Sequence, residues 1–277
     1  FKIMNKKTAT IILNRNLPNI ADDLVDHLKK YDEKYTDIFV IEAGSDDNNL
    51  SKNFTWHIND EFTKAYGLRF PRGLNLGIKK LHEEGKLNDY DSIFFISNDT
   101  ILENKKTIEP LRQILIDHDK IGILSPCSNS WGEKKILKDE GLKYFWFIHT
   151  HAYFLRKKYL DEMCEYNENY LNLLFDGNNF RGWGLELELI AKSYASNWAS
   201  AITSKVIVEE NDSLLIERSE LIKTEDYDEN LKLYIDEGKK WMKKKYGFKS
   251  KWDMIFYAKS FYDNFFIKNK NLIKYKI

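Results

Sequence analysis

The chain has 277 residues, 43% of them hydrophobic and 31% charged, which suits one large α/β domain or one such domain with a helical appendage. Lysine and arginine balance aspartate and glutamate, 43 against 43, so no overall field draws in nucleic acid and a general DNA or RNA binder is not expected. Cys127 and Cys164 are too few and too far apart for a zinc site or a disulfide framework; read as reduced, buried thiols they fit a cytoplasmic protein. No stretch approaches the roughly 20 apolar residues that span a membrane.

The first 125 residues alternate strand-like and helix-like segments, the pattern of a mostly parallel sheet covered by helices. Residues 8–13 (TATIIL) form a β-branched run that reads as a buried strand. Pro18 then opens a helix, where its missing N–H costs nothing, and Leu24, Leu28 and Tyr31 recur at helical spacing. Residues 37–42 (DIFVIE) are a second strand, followed by a polar loop over 44–49. A helix is predicted over 73–83, the clearest central strand over 91–97 (DSIFFIS), a helix over 106–117 and a strand over 121–124.

After residue 126 the alternation loosens. Residues 144–155 are aromatic and extended, read as one or two strands; 184–193 reads as a helix and 206–208 as a strand. Two amphipathic helices, 226–246 and 251–267, are separated by Gly247. The expected organisation is one domain over 1–215, with a nucleotide-binding half (1–125) and an acceptor half (126–215), and a helical extension over 216–277 packed on it.

In open parallel α/β sheets ligands bind where loops leave the carboxyl ends of the strands. The residues to inspect are therefore Asn14-Arg15-Asn16 after the first strand, Glu42 and Gly44-Ser45-Asp46-Asp47 after the second, and Asn98-Asp99-Thr100 after the central one. Asp99, a carboxylate at the tip of an apolar strand, suits Mg²⁺ or Mn²⁺, which take oxygen donors and diphosphate oxygens together. The same residues also make good turns.

Residues 41–47 (IEAGSDD) resemble the VDNGSTD loop of family 2 glycosyltransferases. Residues 97–100 (SNDT) resemble the strand-end metal motif of that family in the NNDT form of its rhamnosyltransferase-like members, and 180–189 (FRGWGLELEL) is similar to its later GxEDxDL helix start. The three motifs occur in family order over roughly residues 8–210. The resemblance implies a GT-A fold, a Rossmann-like mostly parallel sheet with flanking helices. It implies an enzyme that moves a sugar from a nucleoside-diphosphate sugar to a glycan or lipid-linked acceptor with inversion, as in bacterial capsule or lipopolysaccharide synthesis, with uridine as the expected nucleoside. Carried over by residue, Asn14 and Arg15 contact the nucleotide, Glu42 reads the base, and Asp47 is the second acid of that loop. Asn75, with Arg72 nearby, matches the asparagine of the family's RN.G helix. Asn98 and Asp99 face the diphosphate, Asp99 holding the divalent cation. Glu186 is the expected general base, with Glu188 behind it.

The departures are specific. Ser97 replaces the first acid of a DxD, so the cation rests on one carboxylate and the diphosphate. Glu42 replaces an aspartate, and Leu74 an arginine for which Arg69 or Arg72 would substitute. The family's late metal-ligating histidine has no counterpart: 206–211 (VIVEEN) offers Glu209, Glu210 or Asn211.

Helical residues advance by about 100°, so Glu186 and Glu188 cannot both face one small site. Glu186, in the first turn after Gly182-Trp183-Gly184, is the chosen base; both acids would also complement the helix dipole. Trp183 either stacks on an acceptor sugar or packs in the core. His149 and His151 share one face of a strand and would meet donor or acceptor hydroxyls, supply a spare metal ligand, or act as a structural pair. The basic, aromatic tail segments suit either peripheral contact with the inner face of a membrane or packing on the domain. Two rivals remain: a sugar-nucleotide pyrophosphorylase, disfavoured because residues 14–18 lack the glycine-rich phosphate loop, and a catalytically degenerate GT-A domain that binds carbohydrate or acts as a scaffold.

Overall fold

The structure is a computed structural model that describes residues 6–130, 133–137, 141–148, 152–211 and 213–277. In chain order its elements are β1 (Lys7–Asn14), α1 (Pro18–Asp32), β2 (Thr36–Ala43), β3 (Trp56–Ile58), α2 (Glu61–Tyr66), α3 (Arg69–Glu83), β4 (Tyr90–Ser97), β5 (Thr100–Leu102), α4 (Ile108–Asp117) and β6 (Ile121–Cys127). There follow α5 (Glu133–Leu137), β7 (Leu142–Tyr144), β8 (Ala152–Arg156), α6 (Lys157–Met163), α7 (Leu185–Ala195), β9 (Ala199–Glu210), α8 (Ser213–Arg218), α9 (Tyr227–Tyr246) and α10 (Lys251–Lys268).

The apolar runs become the centre of a mostly parallel sheet in the order β3-β2-β1-β4-β8-β6-β9-β5, with β7 beside β9. β1 runs parallel to β2 and β4, whereas β8 is antiparallel to both β4 and β6. The register sets Asn14 opposite Glu42 and Leu13 opposite Ser97, so the carboxyl ends of β1, β2 and β4 finish together. Burial on both faces explains why these strands read as continuous hydrophobic runs rather than alternating ones.

β9 is twelve residues long, against the three expected from sequence. Its first half, Ala-Ser-Ala-Ile-Thr, is buried through small side chains whose hydroxyls bond to backbone carbonyls: Ser200 Oγ to Phe145 O (2.5 Å) and Thr203 Oγ1 to Gly141 O (2.7 Å). Its far end leaves β6 and pairs antiparallel with β5, Thr100 opposite Glu210. That bend carries Glu210 and Asn211 to the tip of β4; the Asn211 amide donates to Asp99 O at 2.8 Å.

The two tail helices share the core. Tyr194 of α7 meets Tyr262 and Phe265 of α10 edge-on, with ring centroids 5.3 and 5.2 Å apart. Trp241 and Met242 of α9 are buried in the same hydrophobic cluster as α7. Cys127 and Cys164 are buried, and no disulfide links the described residues. Among the described residues no helix is long and apolar enough to cross a membrane.

Candidate active site

A cavity of about 460 Å³ opens where β1, β2 and β4 end. Asn14, Arg15, Asn98 and Asp99 line it, as sequence spacing predicts, together with Ser97, Arg69, Glu210 and Asn211. A row of polar side chains crosses the three strand ends. Asn98 Nδ2 donates to Asn14 Oδ1 (2.7 Å), and Asn14 Nδ2 donates to both Glu42 oxygens (2.9 and 3.0 Å). Glu42 also accepts from Ser45 Oγ (2.5 Å) and the Ser51 amide (2.8 Å). Completely buried and so occupied, it orients Asn14 and the following loop and does not line the cavity. In that loop Gly44 has φ +76°, and a Cβ there would stand 2.0 Å from Thr63 O, so glycine is required. Asp47 is exposed on the turn beyond and also lies off the cavity wall.

Two guanidinium groups face the cavity. Arg15 donates to Lys64 O at 2.7 Å, while Arg69 donates to Thr224 Oγ1 at 2.7 Å and Glu225 Oε2 at 3.0 Å. Burial and then the neighbouring Arg69 charge push the Arg15 guanidinium down to about 10. Arg69 is likewise lowered, by burial first and the Arg181 charge second. The Nε atoms of Arg15 and Arg69 are buried without a hydrogen-bond partner among the described residues. Cations in this condition favour an anion between or beside them.

At the tip of β4, Ser97 Oγ donates to the Asp99 carboxylate. The serine that stands in place of the first DxD acid therefore positions the second one. Glu210 and Asn211 share the cavity wall with Asp99, whereas Glu209 points the other way. Burial pushes the Glu209 carboxyl up, but bonds from Ser128, Asn129 and Ser130 outweigh it and hold it at about 2. Of the three acceptors offered by 206–211, two line the cavity with Asp99 and one anchors the end of β6. Among the described residues no group of three or more His, Cys, Asp or Glu is gathered to hold a metal. Asp99 and Glu210 are hard oxygen donors of the kind that hold Mg²⁺ or Mn²⁺ together with phosphate oxygens and water.

Arg72 and Asn75 lie on α3 away from the cavity. Asn75, completely buried, donates to Phe175 O (2.8 Å) and accepts from the Leu174 and Phe175 amides (3.1 and 3.0 Å). Arg72 Nε donates to Gly177 O (2.8 Å), and its guanidinium lies over the Phe62 and Phe180 rings. Both pin the 174–177 loop that leads toward α7.

Glu186 and Glu188 are buried at the start of α7, on different sides of it, as their 200° separation requires. The Lys251 ammonium lies 3.6 Å from Glu186 and 5.3 Å from the centroids of the Trp183 and Phe147 rings. Glu188 accepts from the Tyr246 hydroxyl and pairs with Lys245 at 2.7 Å and Lys192 at 3.3 Å. It ties α9 to α7. Trp183 is 9% exposed, and a Cβ on Gly238 of α9 would meet its backbone oxygen at 2.5 Å. The indole is thus packed beneath α9. His149 and His151 lie outside the described residues.

Neither Glu186 nor Glu188 is among the residues that line the cavity. Burial pushes the Tyr234 phenol of α9 well above its usual range, and the charges of Glu186 and Glu210 add to that. Tyr234 is therefore near enough to both acids to feel their charges. The tail also supplies cavity wall that sequence reading missed: Ile222, Thr224 and Tyr227 line it, as do Leu214 just before the tail and Tyr66 and Leu68.

No family model matches the chain, and no curated protein matches it significantly in sequence. Solved structures do share its fold. GalNAc-T7, in a structure with UDP, GalNAc and Mn²⁺, superposes over 88% of this chain and 57% of its own with a TM-score of 0.54 at 12% identity. TarS of S. aureus superposes over 83% of this chain and 43% of its own, with a TM-score of 0.51 at 15% identity. The chain thus spans about half the length of these two proteins. A mannosyltransferase from Pyrobaculum calidifontis, solved with GDP-Man and Mn²⁺, covers 94% of this chain and 77% of its own at 10% identity, with a TM-score of 0.49. The fold is that of the GT-A glycosyltransferases.

Proposed function

We propose that this protein is a glycosyltransferase that moves a sugar from a nucleoside-diphosphate sugar to a saccharide or lipid-linked acceptor. The observation that carries the reading is the cavity at the ends of β1, β2 and β4, in which Arg15, Arg69 and Asp99 meet beside Tyr66 and Tyr227. Aromatic and aliphatic walls suit a nucleoside, and a pair of half-desolvated arginines suits the diphosphate that follows it. Uridine is the nucleoside we assign, as in the GalNAc-T7 structure.

In this scheme Asn14 binds the nucleotide, held in place by Glu42 and Asn98, and Arg15 and Arg69 neutralise the diphosphate as it departs. Asp99 and Glu210 would hold a divalent cation, which when bound contributes further charge to that leaving group. The acceptor enters from the α7 side, where Glu186 takes the proton of its attacking hydroxyl. Attack opposite the leaving diphosphate inverts the anomeric carbon. Glu188 positions α9, Trp183 supports the helix start, and Arg72 and Asn75 set the loop beneath it.

Incubating the protein with a panel of nucleotide sugars and Mn²⁺, and detecting released nucleoside diphosphate, tests the proposal. Release from one donor class, stimulated by a saccharide acceptor and lost in Asp99→Ala, supports it. A chain that binds sugars but releases no diphosphate from any donor would instead be a carbohydrate-binding relative of the fold.

A further inference from the structure

The corner between α9 and α10 combines two features that transfer chemistry does not need. Residues 239–251 contain seven lysines and no acidic residue. Lys245 and Lys251 turn inward to Glu188 and Glu186. The other five, Lys239, Lys240, Lys243, Lys244 and Lys249, are exposed, and none makes an ion pair among the described residues. Immediately after them, one helical turn apart on α10, Trp252 and Phe256 are each 66% exposed.

The corner is also firmly built. Gly247 ends α9 with φ +72°, and Ser250 and Asp253 form a capping box that starts α10. Tyr246 stacks on Phe248 at 5.3 Å between centroids, and Tyr257 of α10 lies 5.7 Å from each. The aromatic cluster fixes the two helices against each other, so the lysines and the two outward rings are presented together. Core packing accounts for Tyr246, Phe248 and Tyr257, but not for Trp252 and Phe256.

We infer that this corner docks on an anionic lipid surface. Indole and phenyl rings settle into the interface between headgroups and acyl chains, while lysines meet the lipid phosphates. Each lysine near such a surface adds favourable energy that salt screens, and one shallow aromatic pair alone would give only weak attachment. A protein partner would be expected to cover the rings with a complementary apolar surface and to pair five like charges with acids; a bilayer carrying anionic headgroups supplies both without a specific fit. The placement has a consequence for the acceptor. Lys251, one residue from Trp252, touches Glu186, so the docked corner sets the α7 side of the protein against the membrane, where a lipid-linked acceptor would emerge.

The test is sedimentation of the full chain with vesicles of phosphatidylcholine alone and of phosphatidylcholine with one part in three of phosphatidylglycerol. It requires no nucleotide or turnover, so its outcome is independent of the proposed transfer reaction. Partition onto the anionic vesicles alone is expected, weakening as salt rises and falling about tenfold or more in Lys243→Glu/Lys244→Glu. Trp252→Ala/Phe256→Ala should also lose partition while keeping the circular dichroism and melting temperature of the parent, since both rings are outside the core. No partition onto anionic vesicles, or partition unchanged in both double variants, would overturn the inference. Concentration-dependent dimerisation abolished by Trp252→Ala/Phe256→Ala, without vesicle binding, would assign the corner to a second copy of the chain instead.

Discussion

The Lys251 ammonium lies 3.6 Å from the Glu186 carboxylate, and its approach is roofed by the rings of Trp183 and Phe147. The last long helix of the chain therefore reaches the residue proposed as base. The tail is joined to α7 at this point, because the acid belongs to α7 and its cation to α10.

If Glu186 takes the acceptor proton, Glu186→Gln should bind nucleoside diphosphate as the parent does but transfer sugar about 10²- to 10⁴-fold more slowly. Glu188→Gln should differ in kind. It removes the charge that pairs with Lys245 and Lys192 and weakens the bond from Tyr246, so the melting temperature should fall while the folded fraction keeps its turnover. Single-turnover assays beside thermal unfolding of both variants check this; equal turnover in Glu186→Gln and parent refutes the assignment.

Arg15→Ala and Arg69→Ala should each weaken nucleoside-diphosphate binding by roughly ten- to a hundredfold, the scale of a charge-assisted hydrogen bond. Binding of the uncharged nucleoside should hardly change. Arg72→Ala is the control, since its guanidinium is committed to Gly177 and two phenyl rings off the cavity. Titration calorimetry with nucleoside and nucleoside diphosphate separates the cases.

Gly238 packs its α-carbon on Trp183. A Cβ there would stand 2.5 Å from the Trp183 oxygen and 2.6 Å from two of its side-chain atoms. Gly238→Ala should therefore destabilise the protein by about 1–3 kcal/mol, against the usual gain of alanine in a helix. A melting temperature equal to or above the parent's would contradict that packing.

Asp176 fastens the 174–179 loop to α9 through Trp241 Nε1 (3.0 Å) and Lys245 (2.7 Å). Burial alone would raise its carboxyl, but the bonds from Lys245, Trp241 and the Asn178 amide outweigh it and hold it at about 2, below the ordinary 3.8. A depressed folded pKa gives stability that is present above pH 3.8 and is lost as the pH falls toward 2. Asp176→Asn should thus be less stable than the parent at neutral pH, with the difference shrinking across that acid window. Denaturant unfolding at a series of pH values measures it.

What sequence could and could not disclose follows from how each element is built. β1, β2 and β4 were legible because they are buried on both faces and carry unbroken β-branched and aromatic runs. The start of β9 was not, because its room is filled by alanine, serine and threonine whose polarity is satisfied by backbone partners. Asn14, Arg15, Asn98 and Asp99 could be placed on the cavity because strand ends in a parallel sheet share an edge. Tyr66, Thr224 and Tyr227 could not, since they reach that cavity from an early helix end and from the tail, with no local pattern to mark them. Glu42 shows a subtler limit: its position was foreseen, but only the contacts with Asn14, Ser45 and Ser51 reveal that its carboxylate is spent within the protein.

The most direct test of the donor site is calorimetric titration of UDP, GDP, dTDP and CMP into the protein, each with and without Mn²⁺. UDP is expected to bind, more tightly with Mn²⁺ in the parent, with that strengthening lost in Asp99→Ala and the affinity reduced in Arg15→Ala. No measurable binding of any of the four nucleotides, with or without the ion, would contradict it.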